Sequence, residues 1–291
     1  MSHRIAVASG KGGTGKTTVA LNLYHHISNR LTGNVLLVDC DVEEPNAVLF
    51  YPEAEAGEES PVEQLIPVID QNRCTYCRKC AEYCEFNAIV VIPPVKFAEV
   101  NASLCHSCGA CTVACAFNAI SERAETIGSL KRYHLEEGEG ILEGRLKIGS
   151  AMQTMVIRSL KDAIPGDLDY IILDAPPGTS CPVVETVSDA DYVLLVTEPT
   201  PFGLHDLKLM VRMLREMGKV FGVVVNKSGL GNRELYTYLE KEGIEIVGEI
   251  PYSMAYATRY ATGHLFDTIP DEIRGAYAGI MENLFQKLAV T

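Results

Sequence analysis

The chain has 291 residues, 47% hydrophobic and 22% charged, the composition of an ordinary globular protein long enough for one large domain or one plus a small insert. Its net charge of −13 argues against an unaided binder of nucleic acid or of an anionic membrane, because both surfaces would repel it. No stretch reaches the length of a membrane span and no apolar leader follows "MSHR", so the expected compartment is the cytoplasm, where ten cysteines are not expected to form disulfides.

In chain order, "RIAVAS" (4–9) reads as a buried strand ending at glycine, and "GKTTVALNLYHHISNR" (15–30) has helical periodicity. "NVLLVD" (34–39) is a second buried strand. "PEAEAGEES" (52–60) and, later, "LEEGEGILEG" (135–144) read as solvated acidic loops. Between them, "CTYCRKCAEYCEFNAI" (74–89) and "CHSCGACTVACAFNAI" (105–120) form a tandem repeat in which every cysteine recurs at an offset of 31. The strand–helix alternation resumes at "YIILDAPPG" (170–178) and "DYVLLVTEPT" (191–200). It continues through a helix near 203–217, "VFGVVVNKS" (220–228), a helix near 232–242, "IEIVGEIP" (244–251) and a closing helix at 271–290. Strands this apolar on both faces belong to a parallel sheet covered by helices. The expected class is therefore α/β, a mostly parallel sheet in two parts, 1–65 and 125–291, with a small α+β module inserted over 66–124.

"GKGGTGKT" (10–17) fits G-x-x-x-x-G-K-[ST], follows a predicted strand and opens a predicted helix. Glycines there let backbone N–H groups converge on phosphate oxygens at a helix N-terminus. Gly10, Gly12, Gly13, Thr14, Gly15, Lys16, Thr17 and Thr18 are the expected ATP/ADP-binding residues. Lys16 would reach the β- and γ-phosphates, Thr17 would hold Mg²⁺, and Asp174 would support the magnesium water shell.

With its early lysine, "KGGTGKT" resembles the deviant phosphate loop of the MinD/ParA/Mrp-type ATPases, and the resemblance covers 4–50 and 140–290. "DCDVEEPN" (39–46) is similar to that family's first switch and "DAPPGTS" (174–180) to its second. The resemblance implies that Asp41 positions or polarises the attacking water, that Asp39 acts near magnesium, and that Asn226 and the segment after Pro251 line the adenine pocket. It also implies that Lys11 reaches the phosphates held by a second subunit, so that the chain closes as a homodimer around ATP.

C-x2-C-x2-C-x3-C occurs twice, the spacing of a bacterial two-cluster ferredoxin in which each fourth cysteine ligates the other cluster. Cys74, Cys77, Cys80 and Cys115 would hold one 4Fe–4S cluster, and Cys84, Cys105, Cys108 and Cys111 the other. Zinc is the alternative for paired C-x2-C motifs, and the strict repeated 2-2-3 spacing favours iron–sulfur. Glu85 and Ala116 stand where such runs usually have proline. Cys40 reads as a small buried residue. Cys181 reads as a reactive or ligating candidate without a clear partner.

Together these features resemble a MinD-superfamily ATPase with an inserted two-cluster ferredoxin domain, working with a redox or metallocofactor-assembly protein, without nucleic acid and without stable membrane association. Two rivals stand beside it. One is an iron–sulfur carrier, against which the C-terminal region lacks a C-x-x-C pair. The other is a positioning ATPase, against which the terminal helix is short and weakly basic.

Overall fold

The computed structural model describes residues 2–30, 34–136 and 138–289. In chain order the elements are β1 (His3–Ala8), α1 (Lys16–Arg30), β2 (Val35–Asp39), β3 (Glu55–Ile69), α2 (Lys79–Glu82), β4 (Ile89–Ile92), β5 (Phe97–Val100), α3 (Ala110–Ala114), β6 (Ile120–His134) and β7 (Ile141–Leu146). There follow α4 (Gln153–Asp162), β8 (Tyr170–Asp174), α5 (Cys181–Val187), β9 (Tyr192–Thr197), α6 (Pro201–Glu216), β10 (Phe221–Ser228), α7 (Glu234–Lys241), β11 (Ile246–Pro251), α8 (Met254–Ala261) and α9 (Asp271–Leu288). The chain divides into two compact units, one of Met1–Glu59, Leu130–Arg145 and Ile157–Thr291, the other of Ser60–Ser129 and Leu146–Val156.

The larger unit holds the strands β11-β10-β9-β1-β8-β2-β7, in that order, and they pair in parallel. "VLLVD" of β2 and "YVLLVT" of β9 are buried at every position, which requires cover on both faces. α1 and α9 supply part of it: Val19, Leu23 and Ile27 share one core cluster with Ile280, Met281 and Leu284. α9 buries Ile273, Tyr277, Ile280, Met281, Leu284 and Leu288, a stripe at helical spacing, so its apolar face is already taken up by the core. Among the described residues no helix is long and apolar enough to cross a membrane.

The two acidic stretches depart from the sequence reading. Glu55–Ser60 is the first part of β3, an edge strand, not a loop. An edge tolerates Pro61 and Pro67, whose missing N–H groups cost no ladder bond, and its charged side chains stay in water. Ile141–Gly144 is buried in β7 and pairs with Leu37, Val38 and Asp39 of β2. Here Ile141 and Leu142 decide the outcome, and the buried Glu143 is matched by Arg145 at 3.0 Å.

In the smaller unit β4 and β5 form an antiparallel hairpin, with Ile89 opposite Val100 and Ile92 opposite Phe97. Its cores are small, and cysteines are part of them: Cys111 lies with Ile89, Val91 and Ala98, and Cys105 with Ile66 and Ala88. The tandem repeat is also a repeat of backbone shape. Left-handed residues recur at the same offset of 31: Tyr76 (φ 58°) with Ser107 (56°), Arg78 (70°) with Gly109 (71°), and Asn87 (52°) with Asn118 (50°). Non-glycine residues adopt this region rarely and at a cost, so its recurrence marks a conformation that the fold imposes.

Candidate functional site

The loop between β1 and α1 turns on glycines, two of which, Gly10 and Gly15, leave no room for a side chain. Gly13 (φ 76°) and Gly15 (φ 93°) are left-handed, and a Cβ on Gly15 would collide with the Asn226 amide. Asn226 is there because its Nδ2 donates to the Thr14 carbonyl at 2.7 Å, tying the end of β10 to the loop. A Cβ on Gly10 would meet the backbone of Asp206 in α6. Gly12 is exposed at the tip, and the loop ends where Lys16, Thr17 and Thr18 open α1.

Three carboxylates gather around Lys16. Its Nζ lies 3.4 Å from Asp174 Oδ1, and both side chains are buried. Asp174 and Asp39 are register partners on β8 and β2, which sets two buried acids side by side. Asp39 spends its carboxylate on the backbone of the first switch, accepting N–H bonds from Asp41 (3.1 Å), Asn46 (2.9 Å) and Ala47 (3.0 Å). Burial first and the Asp174 charge second push the Asp39 carboxyl up to about 7, against those hydrogen bonds. Burial also raises Asp41, with Lys16 opposing it. Burial would lower Lys16, but Asp174, Asp41 and Asp39 outweigh it and hold the ammonium above its ordinary value. Asp174 Oδ2 is buried and has no hydrogen-bond partner among the described residues. Among the described residues there is no group of three or more His, Cys, Asp or Glu, the repeat cysteines included, arranged to hold a metal ion.

Beside the loop, Gly13, Gly15, Thr18, Asn226, Pro251 and Tyr256 line a cavity of about 200 Å³. Asn226 and Pro251 thus lie on one cavity with the phosphate loop. Tyr252, Tyr256 and Tyr260 of "PYSMAYATRY", in the segment after Pro251, also line it, and so does Tyr277, which the sequence did not single out.

Lys11 is bound within its own chain. Its Nζ donates to Glu198 Oε1 at 2.5 Å, and Lys227 Nζ donates to Glu198 Oε2 at 2.9 Å. Burial would raise the Glu198 carboxyl, but the bonds from Lys11 and Lys227 outweigh it and hold it below its ordinary value. Neither Glu198 nor Lys227 stood out in the sequence. Each follows the end of a buried strand pattern or closes it, where open α/β sheets carry ligand groups.

The eight repeat cysteines fall into two pockets of the smaller unit. Cys74, Cys77, Cys80 and Cys115 line one, and Cys84, Cys105, Cys108 and Cys111 line the other. Backbone N–H groups point at four of the sulfurs, again at the repeat offset: Tyr76 to Cys74 and Ser107 to Cys105 at 3.4 Å, Ala88 to Cys84 and Ala119 to Cys115 at 3.3 Å. The left-handed Tyr76 and Ser107 belong to this geometry, since each turns its own N–H back on the sulfur two residues earlier. Burial pushes the Cys80, Cys105 and Cys111 thiols up, which favours their neutral form. Glu85 and Ala116 are exposed. Cys40 is fully buried, its thiol raised by burial, whereas Cys181 is exposed at the first residue of α5.

The CobQ/CobB/MinD/ParA nucleotide binding domain family (CbiA) matches residues 5–266. An uncharacterized protein of Methanocaldococcus jannaschii is 32% identical over 79% of this chain and 79% of its own. An iron–sulfur cluster carrier protein of Pyrococcus furiosus is 24% identical over 87% of this chain and 75% of its own. Among solved structures, the septum site-determining protein MinD of Pyrococcus horikoshii, complexed with Mg-ADP, superposes with a TM-score of 0.59 at 17% identity, covering 99% of this chain and 98% of that one.

Proposed function

The chain belongs to the CobQ/CobB/MinD/ParA nucleotide-binding domain family, and from that premise we propose that it is a Mg²⁺-dependent ATPase that closes as a homodimer around ATP and couples this closure to two 4Fe–4S clusters, delivering electrons or handling metalloclusters with a partner protein. One observation carries the reading. The chain that holds a glycine phosphate loop also sorts eight cysteines four and four, in the crossed sets that a two-cluster ferredoxin requires.

The residues suit the groups they would hold. Three acids stand against Lys16, and Asp174 Oδ2 is buried without a partner among the described residues, an environment short of positive charge. Thr17, Asp39 and Asp174 would hold Mg²⁺ together with water and phosphate, since magnesium keeps several waters and takes few protein ligands. Gly10 to Thr18 and Lys16 would bind the phosphates, and Asn226 and Pro251 would flank the base. Asp41 would orient the attacking water. In the smaller unit, eight thiols with four aimed N–H donors match the thiolate ligands and the sulfur hydrogen bonds of cubane clusters. Such clusters supply one-electron transfer at potentials tuned by those hydrogen bonds and by exposure. The insert would then be the module expected over 66–124.

A second reading draws on the Pyrococcus furiosus relative, whose name is iron–sulfur cluster carrier protein. In it the clusters themselves are cargo. Incubating the reconstituted protein with an apoprotein separates the two: clusters that stay and cycle redox state favour electron delivery, and clusters that move favour a carrier.

Protein purified without oxygen is expected to contain about eight irons and eight acid-labile sulfides per chain. Cys80→Ser and Cys115→Ser should each lose the same cluster, leaving about four irons and one identical paramagnetic signature. Loss of different clusters in the two variants rejects the crossed assignment, and a zinc content in place of iron rejects the clusters altogether.

A further inference from the structure

Lys11 has an anionic partner on its own chain, and that partner is built to survive its departure. Glu198 follows β9 with its side chain 11% exposed, and it is fixed from several sides. Its backbone and Cγ press on Gly203, where a Cβ would collide. Its Oε1 accepts from Thr200 Oγ1 at 3.3 Å as well as from Lys11, and its Oε2 accepts from Lys227. Lys227 is itself anchored, with its Nζ also reaching the Gly13 carbonyl at 3.3 Å from a left-handed backbone (φ 55°). One carboxylate therefore serves two lysines at the edge of the phosphate loop. If Lys11 leaves, Lys227 and Thr200 still satisfy Glu198, so no buried charge is stranded.

We propose that Glu198 is a positioning residue for Lys11: it holds the lysine on its own chain, and exchange of this carboxylate for the phosphates of a second subunit's nucleotide is a step of dimer closure. The proposal rests on the reading above that Lys11 acts across a dimer interface. Both partners of the exchange are anions, so the lysine is never without a counter-charge in either arrangement. The triphosphate carries more charge than one carboxylate, which favours the exchange only when nucleotide is present on the other subunit. Glu198 thus sets how much nucleotide and protein closure requires.

Glu198→Gln keeps the shape and an acceptor for Lys227 while removing the charge that holds Lys11. Sedimentation velocity with a non-hydrolysable ATP analogue should show the mid-point of dimerisation at about 10²-fold lower protein concentration than in the wild type, the scale of one charged hydrogen bond for each of the two lysines. In a Lys11→Ala background the same substitution should change nothing. A residue with a merely structural role would not tighten the dimer, and would not lose its effect with Lys11. Glu198→Asp, which draws the carboxylate back by one methylene, should move the mid-point in the same direction and serves if the glutamine variant does not fold. An unchanged or weakened dimer in both Glu198 variants, with closure still dependent on Lys11, overturns the holding role alone. Wild-type closure in Lys11→Ala overturns the reading beneath it as well.

Discussion

Alanine at Lys16 is expected to weaken nucleotide binding by more than about 10²-fold, while alanine at Asp41 leaves binding intact and slows hydrolysis by about 10²–10⁴-fold, the range for a positioned general base. The two residues are opposite in charge and differ in consequence. Lys16 is buried and faces Asp174, Asp41 and Asp39. Without it those acids would confront the phosphates directly, and like charges in a poorly solvated site repel strongly. Asp41 is only half-buried, and its carboxyl takes one backbone N–H, that of Glu44, whereas the Asp39 carboxyl takes three. Removing the Asp41 side chain therefore costs little structure. Calorimetric titration with ADP and a phosphate-release assay read the two effects separately, and thermal melting of the Lys16→Ala protein shows whether it is folded. Unimpaired turnover in Asp41→Ala would transfer the water-orienting role to another residue.

The sheet and its loop were legible in the sequence because their residues are chosen by local rules. Buried parallel strands need unbroken apolar runs such as "YIILD", and a phosphate loop needs glycines at fixed offsets before Lys16, so both announce themselves within ten residues. The grouping of the cysteines was partly legible for the same reason, because repeat spacing is local, whereas the meeting of Cys115 with Cys74, Cys77 and Cys80 in one pocket is not. What was missed depends on partners distant in sequence. β3 and β7 were hidden by glutamates and glycines, since composition does not say that Ile141 and Leu142 will find Leu37 and Val38 across about a hundred residues. β6 and α4 passed unnoticed, although α4 buries Val156, Ile157 and Leu160. Glu198 is the instructive omission in the site. A lone acid after a strand carries no motif, and its meaning comes only from Lys11 and Lys227, 187 and 29 residues away.

Lys11→Ala is expected to bind ATP through Lys16 and the loop amides, yet to hydrolyse it about 10²-fold more slowly and to dimerise poorly. An arginine supplied by a second protein to a phosphoryl-transfer site is worth roughly 10³–10⁵ in rate. Lysine offers a single ammonium without the bidentate fork, so the smaller figure of about 10² follows from the same electrostatic argument. The difficulty is that a defect in Lys11→Ala alone does not say which chain the lysine serves. Within its own chain Lys11 holds Glu198, so its loss could also disturb the loop in place. Mixing two inactive proteins separates these cases. A Lys11→Ala chain keeps its own Lys16 and can receive Lys11 from a Lys16→Ala partner, so each mixed dimer has one complete site. At equal concentrations half of the dimers are mixed and each keeps one site of two, so turnover should recover to about a quarter of the wild-type value. If Lys11 acts only within its own chain, that one nucleotide-binding site lacks its lysine, and the mixture stays as inactive as its components. Mixed dimers that form, as shown by native mass spectrometry, and remain inactive would rule out donation of Lys11 across the interface.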